Sequence, residues 1–120
     1  MAGKLVHFEL PAADTARART FWSGVFGWEF SDSAFPGMEY WMVRTGEEQG
    51  GAVMSTEAPD RGPIVYFDSD DIDASLAKVR ELGGEAGDRM PVPTMGWFAH
   101  CTDPSGNEFG LWQTDPSASM

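Results

Sequence analysis

One pattern of strand and helix occurs twice in the chain, and this repeat constrains the fold more than any other feature. In the first half, Leu5–Leu10 alternates apolar and polar residues as a half-buried strand does, and Asp14 follows as a helix N-cap. In the second half, Ile64–Phe67 is followed by Asp71, which lies 57 residues after Asp14. Two copies of one supersecondary unit predict two tandem βαβββ units that bury their apolar faces together.

Each predicted helix carries an apolar stripe and stops at glycine. The apolar residues of the stripes recur three or four positions apart: Ala18, Phe21, Trp22 and Val25 in the first half, and Ile72, Leu76, Val79 and Leu82 in the second. Gly27 follows the first stripe and Gly83-Gly84 the second, as C-cap glycines do. From the helical phase we expect Phe21, Trp22 and Phe26 to lie in the core.

The remaining apolar runs predict the other strands. These are Trp28–Asp32, Glu39–Arg44, Gly51–Ser55 and Met90–Pro93, followed by a closing hairpin of Trp97–Thr102 and Asn107–Gln113. Pro11 is expected to end the first strand, and Pro36-Gly37 predicts a turn. Polar Glu57–Gly62 is the linker candidate. The interpretation is a single domain over residues 1–120, with unit one at about 4–57 and unit two at about 62–114.

The closing hairpin has the most specific turn chemistry in the chain. Asp103 and Pro104 open the turn, because an Asp side chain bonds the backbone ahead of it and Pro fixes φ. Gly106-Asn107 closes the turn, since both residues tolerate positive φ. The sequence therefore predicts a tight turn that leads into the last strand.

Charge and cysteine content exclude several classes of protein. The chain has 19 acidic residues against 8 Lys and Arg, which gives a formal net charge of −11. That charge argues against binding to nucleic acid or to an anionic membrane surface, and it permits a cationic ligand. No apolar run is long enough to span a membrane, and the N-terminus lacks the pattern of a signal peptide. Cys101 is the single cysteine, so no intrachain disulfide can form and we expect a cytoplasmic protein.

Taken together, these motifs resemble the vicinal oxygen chelate superfamily, which includes glyoxalase I, the bleomycin-resistance proteins and the extradiol dioxygenases. The resemblance is carried by Val6–Leu10, Phe21–Trp28, Asp70–Ala74 and Asp103–Leu111. The Phe-Gly-Leu-Trp-Gln ending is similar to the bacterial glyoxalase-like group, whose functions are mostly unassigned. The resemblance implies an α+β fold of two βαβββ units, with a curved sheet around a trough and the helices outside. It also implies a homodimer.

Enzymes of that superfamily usually hold a divalent metal, and the resemblance places its four ligands on the first and last strand of each unit. The corresponding residues here are His7, Val53 or Met54, Ile64 and Gly110. Only His7 can ligate a hard or borderline divalent ion. We therefore predict no cofactor and no metal ligands on this pattern. A divalent metal would need ligands recruited from other positions, such as Glu9, Glu108 or His100.

The candidate site residues combine proton-transfer groups with aromatic surface. His7 and Glu9 are the candidate catalytic residues, because both alternate onto one face of the first strand and a histidine titrates near neutral pH. The candidate ligand-binding residues are Trp41, Met54, Trp97, Phe98, His100, Glu108 and Trp112. Strand phase puts His100 with Phe98 on one face and Trp97 with Cys101 on the other, without deciding which face meets the ligand. Each of these residues also has a purely structural interpretation.

Three function classes remain open at this point. The first hypothesis is a small-molecule-binding glyoxalase-like protein which, if catalytic, would be a metal-independent enzyme acting on a small carbonyl compound by proton transfer from His7 or Glu9. The alternative is a drug-sequestering binding protein of the bleomycin-resistance type, which turns nothing over. The second alternative is a divalent-metal lyase, epimerase or dioxygenase with ligands outside the usual positions. Whether the protein is an enzyme stays open.

Overall fold

A computed structural model describes residues 2–32, 39–47, 49–56 and 62–119 of the chain. The chain divides into two compact units. The first unit is His7–Ile64, and the second unit is Val65–Met120 together with Met1–Val6. The α+β class is confirmed, since helices and strands both occur in each unit. The predicted turn at Pro36-Gly37 and residues 57–61 of the predicted linker lie outside the described residues.

The first unit is a mixed sheet with a helix packed on it. Its elements are β1 (Leu5–Ala12), α1 (Thr15–Phe26), β2 (Phe30–Asp32), β3 (Tyr40–Arg44) and β4 (Gly50–Ser55), the first two residues of β1 falling on the other side of the division. The strand order is β2-β3-β4-β1. β1 runs parallel to β4, and the other neighbouring pairs are antiparallel.

Helix α1 begins and ends where the sequence predicts. The Asp14 carboxylate accepts a hydrogen bond from the backbone N–H of Arg17 at 3.0 Å, which satisfies a donor of the first turn. Gly27 ends the helix with a φ of 73°, a left-handed conformation that glycine adopts without a steric penalty. Both helix boundaries are therefore set by local chemistry.

The predicted core face of α1 was wrong for two of its aromatic residues. Phe21 is 59% exposed and Phe26 is 60% exposed, while Trp22 is half-buried. The helix instead faces the sheet through Thr15, whose hydroxyl donates to Glu39, and through Arg19, whose guanidinium lies 3.8 Å from the centre of the Trp41 ring. The apolar stripe lies beside these contacts, where Trp22 stacks with Phe26 and Trp28.

The second unit repeats the same topology. Its elements are β5 (Ile64–Asp68), α2 (Ile72–Glu81), β6 (Glu85–Ala86), β7 (Met90–Val92), β8 (Gly96–Thr102) and β9 (Glu108–Thr114), with Ile64 on the first-unit side of the division. The strand order is β5-β9-β8-β6, and β7 also pairs with β8. β5 runs parallel to β9. In both units, then, the first strand lies parallel to the last, as expected of a structural repeat.

Helix α2 covers the core of the second unit. The buried cluster lies between the helix and the sheet and consists of Ile72, Leu76, Ala99, Cys101 and Leu111. The thiol of Cys101 is buried, as predicted, and burial raises its pKa against the opposing charge of Arg80. Leu82, predicted in the stripe, is 69% exposed because the helix ends before it. No helix in the described ranges is long and apolar enough to cross a bilayer.

Most strand boundaries lie within one residue of the predictions, and the larger differences concern β1, β2 and β6. β1 continues through Pro11 to Ala12, so the prediction that Pro11 ends the strand was wrong. Pro11 faces Met54 in the parallel pair with β4, a position that tolerates proline when the ladder does not use its N–H. β2 begins at Phe30 rather than Trp28. The two-residue strand β6 was not predicted, because it is too short to show an alternation.

The turn between β8 and β9 has the predicted chemistry. The Asp103 carboxylate accepts hydrogen bonds from the backbone N–H groups of Ser105 and Asn107, both at 2.9 Å. Gly106 has a φ of 88°. Hydrogen bonds from Asn107, with that of Ser105, hold the pKa of Asp103 below its usual value. The carboxylate is therefore ionised as it closes the turn, and it fixes the register in which β9 follows β8.

Candidate functional site

The sheet of the first unit presents a polar face on the side away from α1, which we call the His7 face. On β1, His7 pairs with Gly50 and Glu9 with Ala52 of the neighbouring strand. The register of β3 brings further side chains to the same face, and its members are His7, Glu9, Tyr40, Met42, Arg44 and Met54. The predicted pair His7 and Glu9 does share one face, and predicted Met54 lies on it as well.

A tyrosine joins the two predicted catalytic residues. The Tyr40 hydroxyl donates to Oε2 of Glu9 at 2.7 Å, and its oxygen lies 2.7 Å from Nε2 of His7. Tyr40 is 8% exposed and Glu9 is 9% exposed, so both groups of this contact are shielded from water. Glu9 is thus the acceptor end of a hydrogen-bonded chain that begins at His7.

The directions of the hydrogen bonds in this chain decide which nitrogen of His7 carries a proton. The single hydroxyl proton of Tyr40 goes to Glu9, so the Tyr40 oxygen accepts from Nε2–H of His7. When the ring is neutral, its lone pair is therefore on Nδ1. Burial lowers the pKa of His7, and the charge of Glu9 opposes this in part. His7 is therefore neutral at pH 7, which is the state that a general base requires.

A cavity of about 440 Å³ opens beside His7. That volume is within the usual range of small-molecule sites. Its walls come from β1 to β4 and the turn after β3, and they include His7, Glu29, Ser31, Met42, Arg44 and Gln49. The lining combines a neutral imidazole, the guanidinium of Arg44, the carboxylates of Glu29 and Glu47 and several hydrogen-bonding groups, which suits a small polar molecule.

The second unit has its own polar and aromatic face on the side away from α2, which we call the His100 face. The register of β5, β8 and β9 brings together Tyr66, Phe98, His100, Glu108 and Trp112. The Tyr66 hydroxyl lies 2.8 Å from Nε2 of His100, and the Phe98 ring lies 5.6 Å from the imidazole. Four predicted ligand-binding residues, Phe98, His100, Glu108 and Trp112, therefore share one face of this unit.

Two predicted ligand-binding residues lie on the opposite faces. Trp41 lies on the α1 side of its sheet, under the Arg19 guanidinium. Trp97 lies on the α2 side with Ala99 and Cys101, where its indole N–H donates to Asp115 at 3.0 Å and Arg89 covers the ring. The structure does not bring either tryptophan together with the residues of the His7 face or the His100 face.

The sequence reasoning missed the two tyrosines. The chain contains two Tyr and two His residues, and each Tyr bonds one His: Tyr40 bonds His7, and Tyr66 bonds His100. In the first unit the histidine is on the first strand, whereas in the second unit the tyrosine is. Both tyrosines fall inside predicted strands, which was the one indication in the sequence. The strand register that pairs them with histidines depends on contacts between distant parts of the chain.

In this chain, the residues at the superfamily's metal-ligand positions do not fit a divalent metal ion. Of the candidates on β4, Val53 is fully buried on the α1 side, and Met54 offers only a thioether. Ile64 and Gly110 have no donor atom, and Nε2 of His7 is bonded to Tyr40. Within the described ranges, no group of three His, Cys, Asp or Glu side chains is arranged to hold a metal ion.

Comparison with known proteins establishes the family. The model of the Glyoxalase/Bleomycin resistance protein/Dioxygenase superfamily matches residues 4–111. The chain belongs to this superfamily. A methylmalonyl-CoA epimerase from Mycobacterium tuberculosis has the same fold as this chain, with a TM-score of 0.74 and 16% identity over 94% of this chain and 89% of that one. The predicted glyoxalase-like fold is thereby confirmed.

Two curated relatives are more similar in sequence. The Mycobacterium tuberculosis protein named "Putative glyoxylase CFP32" is 32% identical over 89% of this chain and 44% of its own length. The anthracycline biosynthesis protein DnrV of Streptomyces peucetius is 28% identical over 88% of this chain and 45% of its own length. The chain thus spans less than half the length of these relatives.

Proposed function

We propose that the protein binds a small carbonyl compound in the cavity beside His7 and moves a proton next to its carbonyl group, with His7 as the base. The observation that carries this proposal is the chain of hydrogen bonds from His7 through Tyr40 to Glu9. A neutral imidazole that borders a cavity and is held in one tautomer can accept a proton from a bound molecule.

The hydrogen-bonded chain supports the charge that this step creates. When Nδ1 of His7 takes a proton from the carbon beside the carbonyl, the C–H electron pair moves into the enolate. The ring becomes a cation, and its Nε2–H then points along the Tyr40 hydroxyl toward the Glu9 carboxylate. A carboxylate that orients and stabilises an imidazolium is a common device in acid–base catalysis. Return of the proton, or of one from water, completes the exchange.

The relatives support a small molecule as the ligand. One carries the name of a glyoxylase, another is an anthracycline biosynthesis protein, and a solved structure of the same fold is a methylmalonyl-CoA epimerase. A binding protein that turns nothing over is the second candidate, and it is favoured by the aromatic surface of Phe98 and Trp112, which are paired on neighbouring strands of the His100 face. We also propose that the protein works as a cytoplasmic homodimer.

Solvent exchange tests the proton-transfer step directly. The protein is incubated in D₂O with pyruvate, pyruvamide, dihydroxyacetone and methylglyoxal, and loss of the C–H signals beside each carbonyl is followed by ¹H NMR. We expect exchange of at least one compound above the uncatalysed rate, and its loss in His7→Gln. The control is His100→Gln, which removes the other histidine and should retain the exchange. Exchange that is absent for every compound, or equal in wild type and His7→Gln, would contradict the proposal.

A further inference from the structure

Arg44 is the only Lys or Arg that lines the cavity beside His7, as far as the described residues go. It lies on the last position of β3 and on the His7 face. Arg44 takes no part in the proton-transfer step proposed above. An arginine on the wall of a ligand cavity is suited to a carboxylate, because its planar N–H groups match the two oxygens.

Strand register places Arg44 across an open gap from His7. Arg44 pairs with Gly50 on β4, and Gly50 pairs in turn with His7 on β1. Neighbouring strands lie about 4.8 Å apart, so the two Cα atoms are separated by about 9.5 Å. Gly50 has no side chain to fill the gap, and a Cβ there would lie 2.5 Å from the backbone oxygen of Val43. The gap between the base and the guanidinium is thus a fixed feature of the sheet.

The Arg44 side chain is held in place before any ligand binds. Nη2 donates to the backbone oxygen of Glu47 at 2.7 Å, and Nε donates to that of Gly46 at 3.4 Å. These bonds use two of the five N–H groups of a guanidinium. A side chain that is already fixed loses less conformational entropy when a ligand binds.

We propose that Arg44 binds the carboxylate of the ligand, so that the ligands of this cavity are small 2-oxo or 2-hydroxy monocarboxylic acids. The inference rests on the proposed function, because it places the reacting carbon at His7 and the acid group at Arg44. With the two Cα atoms about 9.5 Å apart, one small ligand can lie within reach of both side chains. Glu29 and Glu47 line the same cavity and their charges oppose an anionic ligand, so binding of a carboxylate here depends on direct hydrogen bonds from Arg44.

Pyruvate and pyruvamide form the matched pair of probes, because they have nearly the same shape and differ in charge. Their dissociation constants are measured by NMR titration against wild type, Arg44→Gln, Arg44→Lys and the control Arg17→Gln. Arg17 lies exposed on α1, remote from the cavity lining. We expect wild type and Arg17→Gln to bind pyruvate about tenfold more tightly than pyruvamide, the low end for a charge-assisted hydrogen bond at an exposed arginine.

In Arg44→Gln the preference for pyruvate should disappear while binding of pyruvamide persists, and Arg44→Lys should retain part of the preference. A merely structural role of Arg44 in the turn would weaken both ligands equally. Equal affinity of wild type for the two ligands, no binding of pyruvate, or a preference that survives in Arg44→Gln would overturn the assignment. These titrations measure binding, whereas the exchange experiment measures proton transfer. If the protein prefers pyruvate through Arg44 but exchanges no proton, only the proposed function is contradicted.

Discussion

Replacing Tyr40 by Phe removes one oxygen atom and tests the hydrogen-bonded chain of the His7 face. The hydroxyl makes two bonds of 2.7 Å, one to the carboxylate of Glu9 and one to the imidazole of His7. The Phe ring fills the same volume, so packing is preserved. Glu9 then loses a donor while it stays almost fully buried.

The expected cost follows from the kind of bond that is lost. A hydrogen bond to a charged group contributes about 1.5–3 kcal/mol, and a neutral one about 1 kcal/mol. Because Glu9 loses one charge-assisted hydrogen bond and His7 loses its acceptor, we expect the free energy of unfolding to fall by about 2–3 kcal/mol. For a chain of this size that corresponds to a fall of about 8–12 °C in the melting temperature.

Urea unfolding followed by tryptophan fluorescence gives the free energy, and calorimetry gives the melting temperature. Tyr66→Phe is the matched control, since the Tyr66 hydroxyl bonds the imidazole of the exposed His100 and should cost about 1 kcal/mol. A loss below about 0.5 kcal/mol in Tyr40→Phe, within the range of an ordinary surface substitution, would refute the reasoning. So would a loss no greater than that of Tyr66→Phe.

Three further predictions follow from the same structure. Burial lowers the pKa of His7, so between that lowered pKa and the unfolded value of 6.5 the unfolded chain binds more protons than the folded one. The free energy of unfolding should therefore fall as the pH drops through this window. Urea titrations at several pH values should show this decline in wild type and a flatter one in His7→Gln. Gly110→Ala should lower the free energy of unfolding by about 1–3 kcal/mol, because the new Cβ would clash with the Tyr66 ring. Gly24→Ala, inside α1 with open space around it, should raise it by about 0.5–1 kcal/mol. Equal effects of the two substitutions in thermal melts would contradict this. Asp103→Ala should lower the melting temperature by removing the carboxylate that closes the hairpin turn, while Asp103→Asn, which keeps one acceptor oxygen, should lower it less.

The fold could be predicted from sequence where local chemistry sets it. Asp14 and Asp71 cap the helices, Gly27 ends the first of them, and Asp103 with Gly106 forms the turn of the closing hairpin. Each of these depends on residues within a few positions of one another. These same local signals carry the resemblance to the family, which the match of the superfamily model to residues 4–111 establishes.

The candidate site could be predicted only in part, because strand register decides which side chains meet. Alternation along β1 put His7 and Glu9 on one face, but nothing in the sequence near Tyr40 specifies that its hydroxyl reaches both. Trp41 was assigned to ligand binding from its aromatic character, while the Arg19 side chain that covers it comes from a helix. Phe21 was expected in the core because the helical period predicts an apolar stripe. Which side of the helix faces the sheet is decided by packing with distant residues.

The protonation state of His7 is the point on which both proton transfer and the role of Tyr40 depend. Two-dimensional ¹⁵N NMR of the imidazole rings, with His100→Gln used to assign the signals, reports which ring nitrogen carries the proton. At pH 7 we predict a neutral His7 ring with the proton on Nε2 and the lone pair on Nδ1. A proton on Nδ1 alone, or an imidazolium at pH 7, would contradict the account, because His7 could then not accept a proton at Nδ1 from a bound molecule.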